Sequence, residues 1–280
     1  MKTHRFHQLD VFSDKPLRGN PLAVVHSADD LDEMTMAGFA RWTNLSETTF
    51  LLTSRHPEAD YRVRIFTPGG ELPFAGHPTL GSCYAWLAGG GIPRHPDYIV
   101  QECELGLVRI RKDGARLAFA APPLLKRGPV DEILLARAAA GLGLHREEIL
   151  QHQWVDNGPG WFVLMLDSAE RVLSLTPEVA LLSDLKFGII GPHKAMQDSD
   201  YEVRAFVVPL GITEDPVTGS LNAGIAMWLI ETGLAKPAYV VSQGTALQRS
   251  GRVFVDKVGD DIWVGGYVAT CVEGSVRLPG

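Results

Sequence analysis

Cysteine is scarce in this 280-residue chain. Its three positions, Cys83, Cys103 and Cys271, form no C-x-x-C pair and leave one residue over in any disulfide scheme. A disulfide framework is therefore excluded, and a reducing compartment, the cytoplasm, is the natural location. The nine histidines make no H-x-x-x-H or H-x-x-E-H spacing, so no zinc centre is expected and no metal is assigned. No segment approaches the roughly 18 apolar residues of a membrane span, and the opening MKTHRFHQLDVF lacks the apolar core of a signal peptide. Basic blocks are missing too: 26 Lys and Arg stand against 33 Asp and Glu, a formal net charge of −7. Nucleic acid and anionic membrane are poor partners for such a chain.

What is present is a packed, soluble composition, 45% hydrophobic, over a length that suits about two domains of roughly 150 residues each. One internal echo supports that division. Glu71–Gly81 reads ELPFAGHPTLG and Glu214–Gly224 reads EDPVTGSLNAG, the same E-x-P-x-x-G-x-x-x-x-G at an offset of 143 (214 − 71), each running into an apolar segment. No shorter period occurs, which disfavours solenoids and propellers.

In the first half, FHQLDVF, LAVV, TTFLL, YRVRIF, YIVQE, LVRIR and RLAFA have the β-branched and aromatic content of strands. A helix is expected after an Asp29–Asp30 cap, with Leu31, Met34, Phe39 and Trp42 for its buried face. A second starts at Gly76-His77-Pro78 and carries almost no charge, the mark of a buried helix. Residues 121–129 form a proline-rich linker between an N-terminal domain at 1–120, which the last few C-terminal residues can join, and a C-terminal domain at 130–270. The second half repeats the scheme. A helix at EILLARAAAGL precedes strands at HQWV, WFVLMLD, KFGII and YEVRAFVVP, and an uncharged helix follows at SLNAGIAMWLIETG. YVVSQ, VFVDK and IWVGGYVATCV close the chain as strands.

Each echoed corner is a glycine turn feeding a helix, whose first N–H groups lack intrahelical acceptors and suit a carboxylate or phosphate. If the domains pack about a pseudo-twofold axis, both helix starts point into one interdomain cleft. The plainer alternative is that glycine permits a turn and proline begins a helix.

GNPLAVV at 19–25, NLSETTF at 44–50, RIFTPGGELPFAGHPTLG at 64–81, DNGP at 156–159 and EDPVTGSLNAG at 214–224 run in the order found in one family. The chain resembles the PhzF-like phenazine-biosynthesis isomerases, within the diaminopimelate epimerase-like fold. The resemblance implies an α/β (α+β) protein of two pseudo-symmetric domains, each a curved sheet or barrel around a central helix. It also implies a homodimer, no cofactor, and a small carboxylate substrate bound between the domains. Epimerases of this fold use two cysteines, at positions that match Ala75 and Thr218 here, so a two-thiol mechanism is absent. By the resemblance Glu47 moves the proton, while His77, Asp215 and Ser220 hold the substrate and tune that carboxyl group. Asn20, Ser46, Gly76, Thr218 and Gly219 complete the expected binding residues.

These residues also have ordinary roles. Glutamate is usually solvated surface, Asp215 and Ser220 suit a helix cap, Asn20 and Asn157 suit turns, and Cys83 suits a core. A carboxyl group enclosed in a cleft loses hydration, so Glu47 is expected to hold its proton more tightly than a free glutamate. The family's best-known reaction shifts a proton on a cyclic dihydro-hydroxyanthranilate. The alternatives are a dehydratase or epimerase acting on a hydroxylated or cyclic amino acid, and a binding protein that kept the fold without turnover.

Overall fold

The β-branched runs of the first half become strands in a computed structural model that describes residues 1–279. In order they are β1 (Lys2–Val11), β2 (Asn20–Val25), helix α1 (Glu33–Thr43), β3 (Glu47–Leu52), β4 (Tyr61–Thr67), β5 (Gly70–Leu72), helix α2 (Gly76–Ala88), β6 (Tyr98–Cys103), β7 (Gly106–Asp113) and β8 (Arg116–Ala120). With the C-terminal strand Val268–Leu278 they make one unit, Met1–Ala120 plus the chain from Gly265 onward. The C-terminal strand pairs with β1, and the ladder continues through β2, β3, β4, β6 and β7 to β8. Strands from both ends of this series, the C-terminal strand and β8, touch α2. A flat sheet cannot do that, so this one curls around the helix.

The first helix differs from expectation. Its cap is Asp32, whose side chain accepts from the Thr35 N–H at 2.8 Å. That start turns Met36, Phe39 and Ala40 inward, at the i, i+3, i+4 spacing of one helix face. Met34 and Trp42 are left outside, 81% and 80% exposed, with Trp42 stacked on Phe39.

The second unit, Ala121–Val264, holds α3 (Glu132–Leu142), β9 (Gln151–Trp154), β10 (Phe162–Met165), α4 (Ala169–Ser174), β11 (Lys186–Pro192), β12 (Tyr201–Val207), β13 (Glu214–Asp215), α5 (Gly219–Glu231), β14 (Ala238–Gln243), β15 (Gly251–Val258) and all but the last two residues of β16 (Asp261–Gly266). Residues 121–129 are not a loose linker. Ala121 N–H bonds the Ile262 carbonyl, Leu125 and Lys126 N–H bond the Asp156 carbonyl, and the Gly128 carbonyl accepts from Trp154 N–H. The stretch expected as one closing strand, IWVGGYVATCV, is two: β16, and after Tyr267 the strand paired with β1.

α5 is buried on all sides from Gly219 to Ala226 and again at Trp228 and Leu229. The last glycine of each echo explains how such helices sit so deep. A Cβ at Gly81 would lie 2.4 Å from Leu22 Cδ2, and one at Gly224 only 2.2 Å from the Val155 carbonyl oxygen. Backbone cannot swing aside as a side chain can, so Gly224→Ala is expected to destabilise by about 1–3 kcal/mol despite alanine's better helix propensity. Gly38→Ala in α1, where the nearest atom is 3.9 Å away, should instead stabilise by about 0.5–1 kcal/mol. Urea denaturation of the two variants checks the opposite signs.

Candidate active site

In the first unit the N-L-S-E motif is a change of direction. α1 ends at Asn44, which takes the left-handed conformation (φ 53°) and returns its N–H to the Ala40 carbonyl. Asparagine tolerates that region better than most residues. Three residues later, past the half-buried Ser46, Glu47 opens β3. Its side chain is 15% exposed, with Oε2 3.3 Å from His77 Nε2. The other ring nitrogen, Nδ1, lies 3.3 Å from Asn20 Nδ2. Asn20 is fully buried as the first residue of β2 rather than a turn residue. The Gly19 before it has no room for a Cβ, which would fall 2.1 Å from the Val11 carbonyl oxygen.

Burial pushes the His77 imidazole down to about 3, with the Pro21 carbonyl opposing. The ring is therefore neutral at ordinary pH, and its contact with Glu47 is polar rather than an ion pair. Asn20, Glu47 and His77 are thus brought together, with Gly76 and His77 in the first turn of α2. That turn is uncapped by any side chain and holds no acidic residue. It is anchored from within the core: Thr79 Oγ1 bonds the Ala75 carbonyl at 2.9 Å and accepts from Gln101 Nε2 at 3.0 Å, and Gln101 Oε1 accepts from Tyr61 OH at 3.0 Å.

The matching corner of the second unit is built differently. Thr218 stands at the N-cap of α5 but makes no side-chain cap bond; its Oγ1 donates to Asp215 Oδ2 at 2.6 Å. Ser220 is not a cap either. Ser220 Oγ accepts from Trp161 Nε1 at 2.9 Å, and its carbonyl accepts from Asn157 Nδ2 at 2.9 Å. The turn in DNGP is made by Asp156, whose Oδ1 accepts from the N–H of Gly158 at 2.8 Å and of Gly160 at 2.6 Å. This leaves Asn157 to grip α5. Gly219 is the first residue of the helix.

Sequence reading missed the frame behind both corners. Glu71 accepts two bonds from Arg64, through Nε at 2.7 Å and through the terminal nitrogen at 2.5 Å. Glu214 accepts two from Arg204, at 3.1 and 2.8 Å. Each glutamate faces a phenylalanine two residues past its arginine, Phe66↔Glu71 and Phe206↔Glu214, and each guanidinium lies over that ring at 5.0 and 5.1 Å. The visible signal was V-R-x-F at 63–66 and 203–206, an offset of 140 (203 − 63).

Burial separates the two pairs. Arg204 and Glu214 are 4% and 3% exposed, while Arg64 and Glu71 are 23% and 25% exposed. Truncating one member of a buried pair costs about 3–5 kcal/mol, and a solvated pair is worth about 0–1 kcal/mol. Glu214→Ala should therefore lower the urea midpoint far more than Glu71→Ala. The thiol inside α2 is not a base: burial pushes Cys83 up to about 12. Iodoacetamide, which needs a thiolate, is expected to leave turnover of the native protein intact. Loss of activity on labelling Cys83 without unfolding would relocate the chemistry.

A family profile described as phenazine biosynthesis-like protein, PhzC-PhzF, matches residues 9–274. Antisense-enhancing sequence 1 of Schizosaccharomyces pombe is 37% identical, over 98% of this chain and 99% of its own. Trans-2,3-dihydro-3-hydroxyanthranilate isomerase of Pseudomonas aeruginosa is 34% identical, over 98% of this chain and 100% of its own. Among solved structures, a PhzF-family phenazine biosynthesis protein of Bacillus anthracis superposes with a TM-score of 0.84 at 23% identity, covering 99% of this chain and 100% of that one. The mixed α/β architecture is the diaminopimelate epimerase-like one, and the chain belongs to the phenazine biosynthesis-like PhzC/PhzF family of isomerases.

Proposed function

We propose that this isomerase moves a proton between two carbons of a small cyclic carboxylate of the dihydro-hydroxyanthranilate type, with Glu47 as the acid/base. The observation that carries the reading is the Glu47 carboxyl group, fixed at the start of a core strand and 3.3 Å from a buried imidazole. The relative named for trans-2,3-dihydro-3-hydroxyanthranilate, 34% identical over 98% of the chain, supports the substrate class.

The chemistry balances with one group. Glu47 as carboxylate takes a proton from one ring carbon, the C–H electrons move into the adjacent unsaturation, and the protonated carboxyl returns the same proton to another carbon. No electrons leave the substrate, so the shift needs no cofactor. His77, neutral in the first turn of α2, is a polar neighbour that adds no positive charge to lock Glu47 as an anion. Substrate positioning is assigned to Asn20, Ser46, Gly76, His77, Asp215, Thr218, Gly219 and Ser220. The uncapped first turns of α2 and α5 offer N–H donors suited to a carboxylate.

Glu47→Gln keeps the shape of the side chain and much of its hydrogen bonding but cannot carry a proton. It is expected to fold, to bind substrate with near-normal affinity, and to lose roughly 10²–10⁴-fold in kcat. Steady-state kinetics on trans-2,3-dihydro-3-hydroxyanthranilate in deuterated water, following label at carbon, tests it. His77→Ala should disturb KM and kcat together. Because His77 stays neutral well below its ordinary range, no limb of the pH–rate profile near 6.5 should belong to it. Wild-type turnover by Glu47→Gln would end the assignment.

A further inference from the structure

We infer that Gln243 is a positioning residue of this isomerase, holding the Thr218 hydroxyl against Asp215 and, with it, the start of α5. The inference rests on the proposed reading of Asp215 and Thr218 as groups that position the substrate.

Gln243 ends β14 and is wholly buried. A carboxamide has two acceptor lone pairs and two donor hydrogens, and here all four are used. Oε1 accepts from Thr218 N–H at 3.0 Å and from Asn222 Nδ2 at 2.8 Å. Nε2 donates to Thr218 Oγ1 at 2.9 Å and to the Asp215 carbonyl at 3.2 Å. The amide admits only this orientation. Reversed, its NH2 would face the Thr218 N–H and the Asn222 NH2, donor against donor, and its oxygen would face the Asp215 carbonyl, acceptor against acceptor. Asn222 cannot turn to relieve this, because its Nδ2 also donates to the Thr218 carbonyl at 2.9 Å.

One consequence reaches the candidate site. Nε2 fills one of the two lone pairs of Thr218 Oγ1 and so fixes where that oxygen sits, and the hydroxyl hydrogen goes to Asp215 Oδ2 at 2.6 Å. Gln243 thereby holds the hydroxyl against the Asp215 carboxyl group. The first unit holds the counterpart without this function. Gln101 reaches Thr79, the residue that matches Asn222 at an offset of 143 (222 − 79), but position 75, which matches 218, is alanine and has no hydroxyl to orient. The titratable group in the Gln243 network is Asp215. The neighbouring residue Ser242 bonds Glu202 at 2.5 Å and His193 at 2.9 Å, on the other face of the strand.

Gln243→Glu tests the inference, because the variant is isosteric and its donor returns on protonation. When ionised, it keeps the acceptors for Thr218 N–H and Asn222 but draws the Thr218 hydroxyl away from Asp215. When protonated, it can donate again, and burial favours the protonated form. Kinetics on trans-2,3-dihydro-3-hydroxyanthranilate would be compared for wild type, Gln243→Glu and Gln243→Met across about pH 5–8. Hydrogen–deuterium exchange of residues 215–222 would be followed over the same range.

The expected result is a loss of roughly 10–100-fold in kcat/KM for Gln243→Glu at the basic end, recovering relative to wild type as pH falls. Gln243→Met should show the loss without recovery, and exchange in 215–222 should loosen in step. A loss that is independent of pH and follows only the folded fraction, or no loss, overturns the inference. If wild type does not turn this substrate over, exchange alone decides. A pH-dependent loosening in the Glu variant upholds the positioning role and places the failure on the substrate reading. Unaltered protection sinks the inference itself.

Discussion

Each unit depends on burying a helix that carries no charge before its last residue. An element without a polar face must be enclosed, and enclosure leaves the polar groups around its start in need of buried partners. The molecule supplies those partners from side chains. Gln101 and Tyr61 serve α2, while Gln243, Asn157 and Trp161 serve α5. A buried polar group without a partner costs about 1–3 kcal/mol, so these bonds keep the two corners in one geometry while contributing only modest net stability. The glycines at 81 and 224 are the steric side of the same requirement, since the helices lie too close to their neighbours for a methyl group.

Much of this was legible before any coordinates. Local composition placed the strands, and the two charge-free segments were read as buried helices, because patterning and burial follow from residue type alone. The echo exposed the duplicated corners. What escaped was whatever depends on side chains meeting across the sequence. Glu71 and Glu214 read as part of a turn motif, yet each is committed to an arginine on the preceding strand. Gln243 lies beyond α5 from Thr218, in a strand whose sequence gives no hint that its last side chain turns inward. The misjudged face of α1 has a smaller cause: the inward face centres on Met36, Phe39 and Ala40, and at 100° per residue Met34 and Trp42 lie about 160° and 120° round the axis from Met36, outside the core.

Charge is handled in opposite ways at neighbouring positions. The two frame glutamates are held by guanidinium forks, which match a carboxylate with two parallel bonds and fix its plane. The histidine beside Glu47 is kept neutral by burial instead. The repeated motif thus contains glutamates that hold the structure, and Glu47 stands outside it.

The two halves can be compared as drafts of one text. Arginine, phenylalanine, glutamate, proline and both glycines recur in each, at 64, 66, 71, 73, 76 and 81 and again at 204, 206, 214, 216, 219 and 224. Between the two glycines all four letters differ, His77 against Ser220, Pro78 against Leu221, Thr79 against Asn222 and Leu80 against Ala223, and just ahead of them Ala75 stands against Thr218. A scaffold whose rigidity resides in a separate set of residues can revise its first helical turn without refolding, so a duplicated ancestor could have kept one architecture while its two corners drifted toward different tasks. On such a frame a new substrate is reached through a few substitutions at the helix starts, with the strands beneath them unchanged.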